Sequence, residues 1–349
     1  MIVTVIGARP QFIKAAVVSK QFIANGIEER ILHTGQHYDE QMSAVFWKEL
    51  GIPPYELNLN VGSGSHAVQT AQMLIRIEEY LQVHKEKIKA ILVYGDTNST
   101  LAAALAASKL GIKIIHIESG LRSFNREMPE EINRIMTDHL ADVLFCPSSS
   151  SVEQLSREGI IKNVFDVGDV MYDALLQFSD ITISNPPKEY NGHILVTIHR
   201  PSNTDNPVNL RNIFSAIGGS SHQFVWPVHP RTAKILEEQQ VQLPANLSLV
   251  KPFSYFEMLH VLKNCYKVMT DSGGLQKEAY WMKKPCITLR NDTEWAETLH
   301  NNWNVLTGPD TLKIKKALAE IIELNSWVPL YGDGSASQQI SHILKKILY

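Results

Sequence analysis

The run ILVYGDTNSTLAAALAASKLGIKIIHIE, residues 91–118, decides the fold. It opens on four residues suited to a buried strand (91–94) and passes through the polar cluster GDTNST. An alanine-rich amphipathic stretch follows over 98–110, and a second apolar strand, IKIIHI, over 112–117. Two strands of continuous apolar character joined by a helix read as a parallel βαβ unit, covered on both faces.

The same alternation continues on both sides of it. Further strands are expected at 2–6, 30–34, 142–146, 163–167, 194–198, 223–228, 247–250, 266–270, 285–289 and 304–306. Helical patterns lie between them at 65–83, 150–158, 208–217, 254–264 and 311–323, with another at 335–348. About a dozen strands exceeds what one open sheet comfortably holds, so the pattern predicts two Rossmann-like, doubly wound α/β domains. A linker is expected near 168–172, before the Pro- and Gly-containing stretch 183–192, which divides the chain into domains 1–169 and 170–334.

Bulk composition narrows the partners. The 349 residues are 44% hydrophobic and 20% charged, enough for two ordinary cores, and the net charge of −3 offers no bulk attraction to nucleic acid or an anionic membrane. No apolar run approaches the roughly 18 residues of a membrane span. MIVTVIGARP enters a strand at once, without a leader pattern. The three cysteines are dispersed and have no C-x-x-C spacing, which suits reduced structural thiols. A cytoplasmic protein with a small-molecule partner is expected.

In open parallel sheets, ligands bind beyond the carboxyl ends of the strands. Those ends carry Arg9 and Lys14, Asp96, Glu118, His199 and Arg200, His229, and Asp271 and Ser272. Two such edges facing each other would make an interdomain cleft. Asp96 could serve only to cap the helix after it, although Asn98, Ser99 and Thr100 can do that without it. Glu118 has no such explanation, since a carboxylate one residue past an apolar strand must be paired or solvated. Glu130 and Glu131 open a helix behind Pro129, where acids suit the dipole, and Glu130 stands four residues from Arg134. Asp96, Glu118 and Glu130 in one cleft suit removing a proton from one face of a carbon and returning one to the other. Ser272–Gly273–Gly274 before a helix could hold a phosphate or be a plain turn. G-x-G-x-x-G is absent, which argues against NAD or FAD, and His33 with His37 lacks a third ligand, so neither cofactor nor metal is expected.

Taken in order, GARPQFIK, TGQHYDEQM, YGDTNSTLAAALAA, HIESGLRS, PEEINR, VTIHRPSN, PVHP and TDSGGLQKEA resemble the non-hydrolysing UDP-N-acetylglucosamine 2-epimerases over about residues 1–305. The resemblance implies two Rossmann-like domains in the GT-B arrangement, with the C-terminal helix 335–349 returning to the first, and a homodimer. It implies a UDP-sugar substrate, elimination of UDP to a 2-acetamidoglucal, and re-addition with C2 protonated on the opposite face, in supply of surface polysaccharide precursors. By motif, Asp96, Glu118 and Glu130 are the acid/base set, with His199 near the diphosphate or sugar. Arg9 and Lys14 contact the nucleotide-sugar, and Arg134 orients Glu130 or another carboxylate. Ser272, Gly273 and Gly274 hold phosphate, Glu278 the ribose and Phe253 the uracil. Glu127 and Glu131 remain as surface or helix-start charges.

The chain departs from the family pattern at Gln11, where an acid is usual, at Lys277 in QKE, at Trp295 in TEWAE, at Tyr38, and over 61–70. The last two lie near the regulatory UDP-sugar position of some bacterial members. SFNREMPEEINR with TEW is similar to the branch acting on UDP-2,3-diacetamido-glucuronic acid. Arg122 and Arg126 are the candidate partners for a uronate carboxylate. The rival readings are a GT-B glycosyltransferase, which leaves Glu118 and Glu130 less explained, a hydrolysing epimerase that releases UDP and free N-acetylmannosamine, and a silent nucleotide-sugar sensor, which the intact carboxylates disfavour.

Overall fold

The computed structural model describes residues 1–36, 47, 49–179, 181, 187, 190–238, 241–321, 323 and 326–349. They form two compact units, residues 1–174 with 330–349, and residues 175–329.

The first unit is built on seven parallel strands in the order β3-β2-β1-β4-β5-β6-β7. These are β1 (Ile2–Ile6), β2 (Glu29–His33), β3 (Leu57–Asn58), β4 (Ala90–Tyr94), β5 (Lys113–Ile117), β6 (Val143–Cys146) and β7 (Val164–Asp166). Every residue of β1 and β4 is buried, as strands covered on both faces require. The helix Asn98–Leu110 is capped by Thr97, whose hydroxyl accepts the Thr100 amide. Its alanines at 102–104, 106 and 107 let it lie close on the core that contains Val3, Val5, Ile91 and Val93. The helix Pro129–Leu140 begins with Pro129 and places Glu130 and Glu131 in its first turn.

The helix Ala336–Leu348 belongs to this unit. The buried Asp173 carboxylate accepts the Ala336 and Ser337 amides and the Ser337 hydroxyl, tying down the start of the helix. Further along, Asn25 Nδ2 donates to Ser341 Oγ at 2.9 Å and Lys345 Nζ to the Asn25 carbonyl at 2.8 Å.

The second unit has six parallel strands in the order β10-β9-β8-β11-β12-β13. They are β8 (Ile194–Thr197), β9 (Phe224–Pro227), β10 (Leu247–Val250), β11 (Lys267–Thr270), β12 (Cys286–Thr288) and β13 (Asn304–Leu306). Alternate residues feed opposite faces: Ile194, Val196, Trp226 and Met269 enter one core, and Leu195, Val225 and Val268 the other.

Among the elements that differ from the sequence expectation are an edge strand and a helix. The edge strand β3 is two residues long, too short to show a periodic pattern. The helix Val170–Phe178 occupies most of the segment read as a linker. All three cysteines are buried thiols, and burial pushes Cys265 and Cys286 up to about 12.

Candidate active site

Both sheets reverse their strand order once, and candidate residues stand at both reversals. In the first sheet β1 pairs with β4, and the chain leaves these strands into Gly7–Lys14 and Gly95–Asp96. In the second, β8 pairs with β11, followed by His199 and by Asp271–Gly274. Such a reversal opens a crevice because the helices after the two strands run to opposite faces.

In the first unit, Glu118 follows β5 with φ of +73°, a left-handed conformation costly for a residue with a Cβ. Its buried carboxylate is ion-paired with the buried Lys14 ammonium. A Cβ on Gly95 would lie 3.0 Å from Glu118 Oε2, and Gly95 itself has φ of +60°, so glycine provides both the turn and the room. Asp96, about a third exposed, pairs with Arg134 Nη2 at 2.6 Å. Asn133 Nδ2 donates to the Asp96 carbonyl at 2.8 Å. Lys14, Asp96, Glu118 and Arg134 are thus gathered around the ends of β1, β4 and β5, with Arg9 exposed at the start of its helix.

Besides Asp96, Arg134 pairs with Glu131, at 2.8 Å. Glu131 is 1% exposed and accepts the Ser123 amide and hydroxyl and the Phe124 amide. It stands in the first helical turn, as expected, but as a buried hub rather than a surface charge, because the helix turns this residue inward. Glu130 is half-buried on the same turn. Arg122 is likewise unavailable to a substrate: it is buried, pairs with Asp138 at 2.7 Å and makes a two-pronged contact with Glu158. Arg126 and Glu127 are exposed.

In the second unit, the fully buried Asp271 organises the loop after β8. It accepts the His199 and Arg200 amides and Asn203 Nδ2, and lies 3.2 Å from His199 Nδ1. That contact fixes the imidazole with Nδ1 toward the carboxylate, while the side chain as a whole is about half exposed (53%). Ser272 caps the helix Gly273–Trp281. A Cβ on Gly273 would come within 2.3 Å of Glu294 Oε1, so the Glu294 side chain would have to shift for any larger residue there, while Gly274 faces open space. Glu278 is buried on that helix, and Phe253 is half-buried, 6.3 Å from the Tyr190 ring. Lys277 and Trp295, both departures from the family pattern, are partners: the ammonium stands 3.5 Å from the indole centroid.

Sequence reasoning placed Asp271 at a strand end without giving it a role, and read Glu131 as a surface or helix-start charge. The strand-end rule that selected Asp96 also points to Asp271; nothing local distinguishes Glu131 from Glu130. His33 stacks on Phe12 at 5.2 Å, and its Nδ1 accepts the Gly35 amide. His37 and Tyr38 lie outside the described residues.

Residues 21–345 match the sequence profile of a family described as UDP-N-acetylglucosamine 2-epimerase. A "UDP-N-acetylglucosamine 2-epimerase homolog" of Methanococcus maripaludis is 48% identical, covering 99% of both chains. The UDP-2,3-diacetamido-2,3-dideoxy-D-glucuronate 2-epimerase of Pseudomonas aeruginosa is 45% identical, also over 99% of both. The crystal structure of the Methanocaldococcus jannaschii UDP-GlcNAc 2-epimerase with UDP-GlcNAc and UDP superimposes with a TM-score of 0.91 at 40% identity, covering 99% of this chain and all of that one.

Proposed function

The chain belongs to the UDP-N-acetylglucosamine 2-epimerase family, a family of isomerases, and from that premise we propose that it interconverts UDP-N-acetylglucosamine and UDP-N-acetylmannosamine without hydrolysing them. The observation that carries this reading is the grouping of two cation-paired carboxylates, Glu118 with Lys14 and Asp96 with Arg134, at one strand-order reversal. Inverting C2 of the sugar requires its C–H bond to break without help from an adjacent carbonyl. Elimination solves this: C2 loses its proton to a carboxylate, the C1–O bond breaks, and its electron pair leaves with UDP. UDP then adds back to C1 as an acid delivers a proton to the other face of C2.

Asp96, Glu118 and Glu130 form the acid/base set in this proposal, and Arg134 holds Asp96 in place. Arg9, Lys14, His199 and the Ser272–Gly274 amides would stabilise the departing diphosphate, where oriented donors matter most. Glu278 would take the ribose hydroxyls and Phe253 the uracil. The proton leaves as a proton, so the route calls for no hydride acceptor. A homodimer working in the cytoplasm to supply surface polysaccharide precursors completes the proposal.

The 45% identity to the diacetamido-glucuronate epimerase, against 40% to the M. jannaschii enzyme, favours a second reading in which the sugar is a uronate. With Arg122 committed internally, Arg126 is the remaining candidate for its carboxylate. NMR of UDP-N-acetylglucosamine with the protein in D₂O tests the first reading: deuterium at C2 and growth of UDP-N-acetylmannosamine are expected. Free N-acetylmannosamine would mean hydrolysis. Exchange only with the diacetamido-glucuronate, lost selectively in Arg126→Ala, would establish the second reading, and no exchange with either would overturn both.

A further inference from the structure

Behind the paired carboxylates, the first unit buries a chain of charge that proton transfer itself does not use. Asp138, on the helix Pro129–Leu140, is 1% exposed and touches three points of the segment that carries Glu118. Its Oδ1 lies 2.8 Å from His116 Nδ1, while Oδ2 accepts the Gly120 amide at 3.1 Å and Arg122 Nη1 at 2.7 Å. The other ring nitrogen, His116 Nε2, lies 2.8 Å from the Gly95 carbonyl. The ring thus bridges the Asp138 carboxylate and the Gly95 carbonyl.

A core with no further task would be easier to build from apolar side chains of equal volume, since burying ions carries a desolvation cost. Apolar contacts, however, do not fix a direction. Here the directional bonds run to two particular loops: the Gly95 carbonyl immediately precedes Asp96, and the His116 and Gly120 contacts flank Glu118. Glu118 is also the residue held at positive φ, which persists only where surrounding structure enforces it.

We propose that His116 and Asp138 are positioning residues, which hold the turns carrying Asp96 and Glu118 in reacting geometry through the Gly95 carbonyl and the Gly120 amide. The inference rests on the acid/base reading of those two carboxylates.

The test compares two substitutions at one buried position. In His116→Gln the side-chain amide nitrogen can replace Nε2 and still reach the Gly95 carbonyl, whereas His116→Asn replaces only Nδ1. With the sugar the wild type epimerises, His116→Gln is expected within about 10-fold of wild-type kcat. His116→Asn should fall roughly 100-fold, with KM changed less than about 3-fold in both, as misplacement of reacting groups predicts. Asp138→Asn, which keeps the shape but not the charge, should also lower kcat more than KM, and it provides the reading if His116→Asn does not fold. Wild-type kcat in His116→Asn, or equal losses in both variants that follow their melting temperatures, would overturn the proposal. So would a KM effect larger than the kcat effect in Asp138→Asn. An inactive wild type would instead overturn the functional reading on which it rests.

Discussion

Glu118 combines an unfavourable backbone conformation with a buried ion pair, so its two kinds of replacement should have different consequences. Glu118→Gln keeps the shape and removes the proton acceptor; kcat should fall about 100-fold or more, measured together with loss of deuterium uptake at C2. Lys14→Met leaves the carboxylate buried beside an apolar chain. It should cost about 3–5 kcal/mol, read from the denaturation midpoint and slope of the first unit. Gln11 explains itself at the same scale. Its Oε1 accepts the Gly7 and Ala8 amides, while its Nε2 contacts the Tyr94 carbonyl and the Thr97 and Thr100 hydroxyls. An acid of the usual family type could not donate to that carbonyl unless protonated. Gln11→Glu should therefore destabilise by about 1–3 kcal/mol at neutral pH and less at low pH. The carboxylates past the strands were legible because a charge directly after an apolar strand is chemically conspicuous. Glu131 was not: one residue along a helix is a rotation of about 100°, and packing rather than local sequence decides which neighbour points inward.

At the scale of elements, the alternation of strand and helix was readable because each central strand is buried on both faces. Short pieces carried no period to read, as β3 shows. The 293–295 loop and the helix Gly273–Trp281 form a unit whose partners are far apart in sequence. Here Lys277 over Trp295 stands where the family pattern suggests an acid and an arginine. Lys277→Glu alone should destabilise the second unit, and Lys277→Glu with Trp295→Arg should recover part of that loss in a double-mutant cycle of melting temperatures. The helix Pro129–Leu140 has its own pH signature. Burial would raise the Asp138 carboxyl, but His116 and Arg122 outweigh it and hold it below the usual carboxylate range. A group depressed on folding stabilises above its unfolded pKa, about 3.9, and loses that contribution as pH falls through the lower folded value. Asp138→Asn should therefore be less stable than wild type at neutral pH, with the difference narrowing below about pH 4 in urea titrations.

For the molecule as a whole, the division into two sheets followed from counting strands, and the polar strand ends followed from the rule for parallel sheets. How residues distant in sequence interlock, as Asp173 does with Ser337, had no local signal. Removing 336–349 should uncover the helix Arg9–Asn25 and lower one calorimetric transition while leaving the other near its wild-type temperature. The same helix also sets an order of events during synthesis. Residues 175–329 are complete in sequence before residue 336 leaves the ribosome, whereas the first unit must wait for a segment made after its neighbour. The unit begun first is thus finished second, and the apolar and polar surface that Ala336–Leu348 will cover stays open to chaperones until translation has passed the second unit.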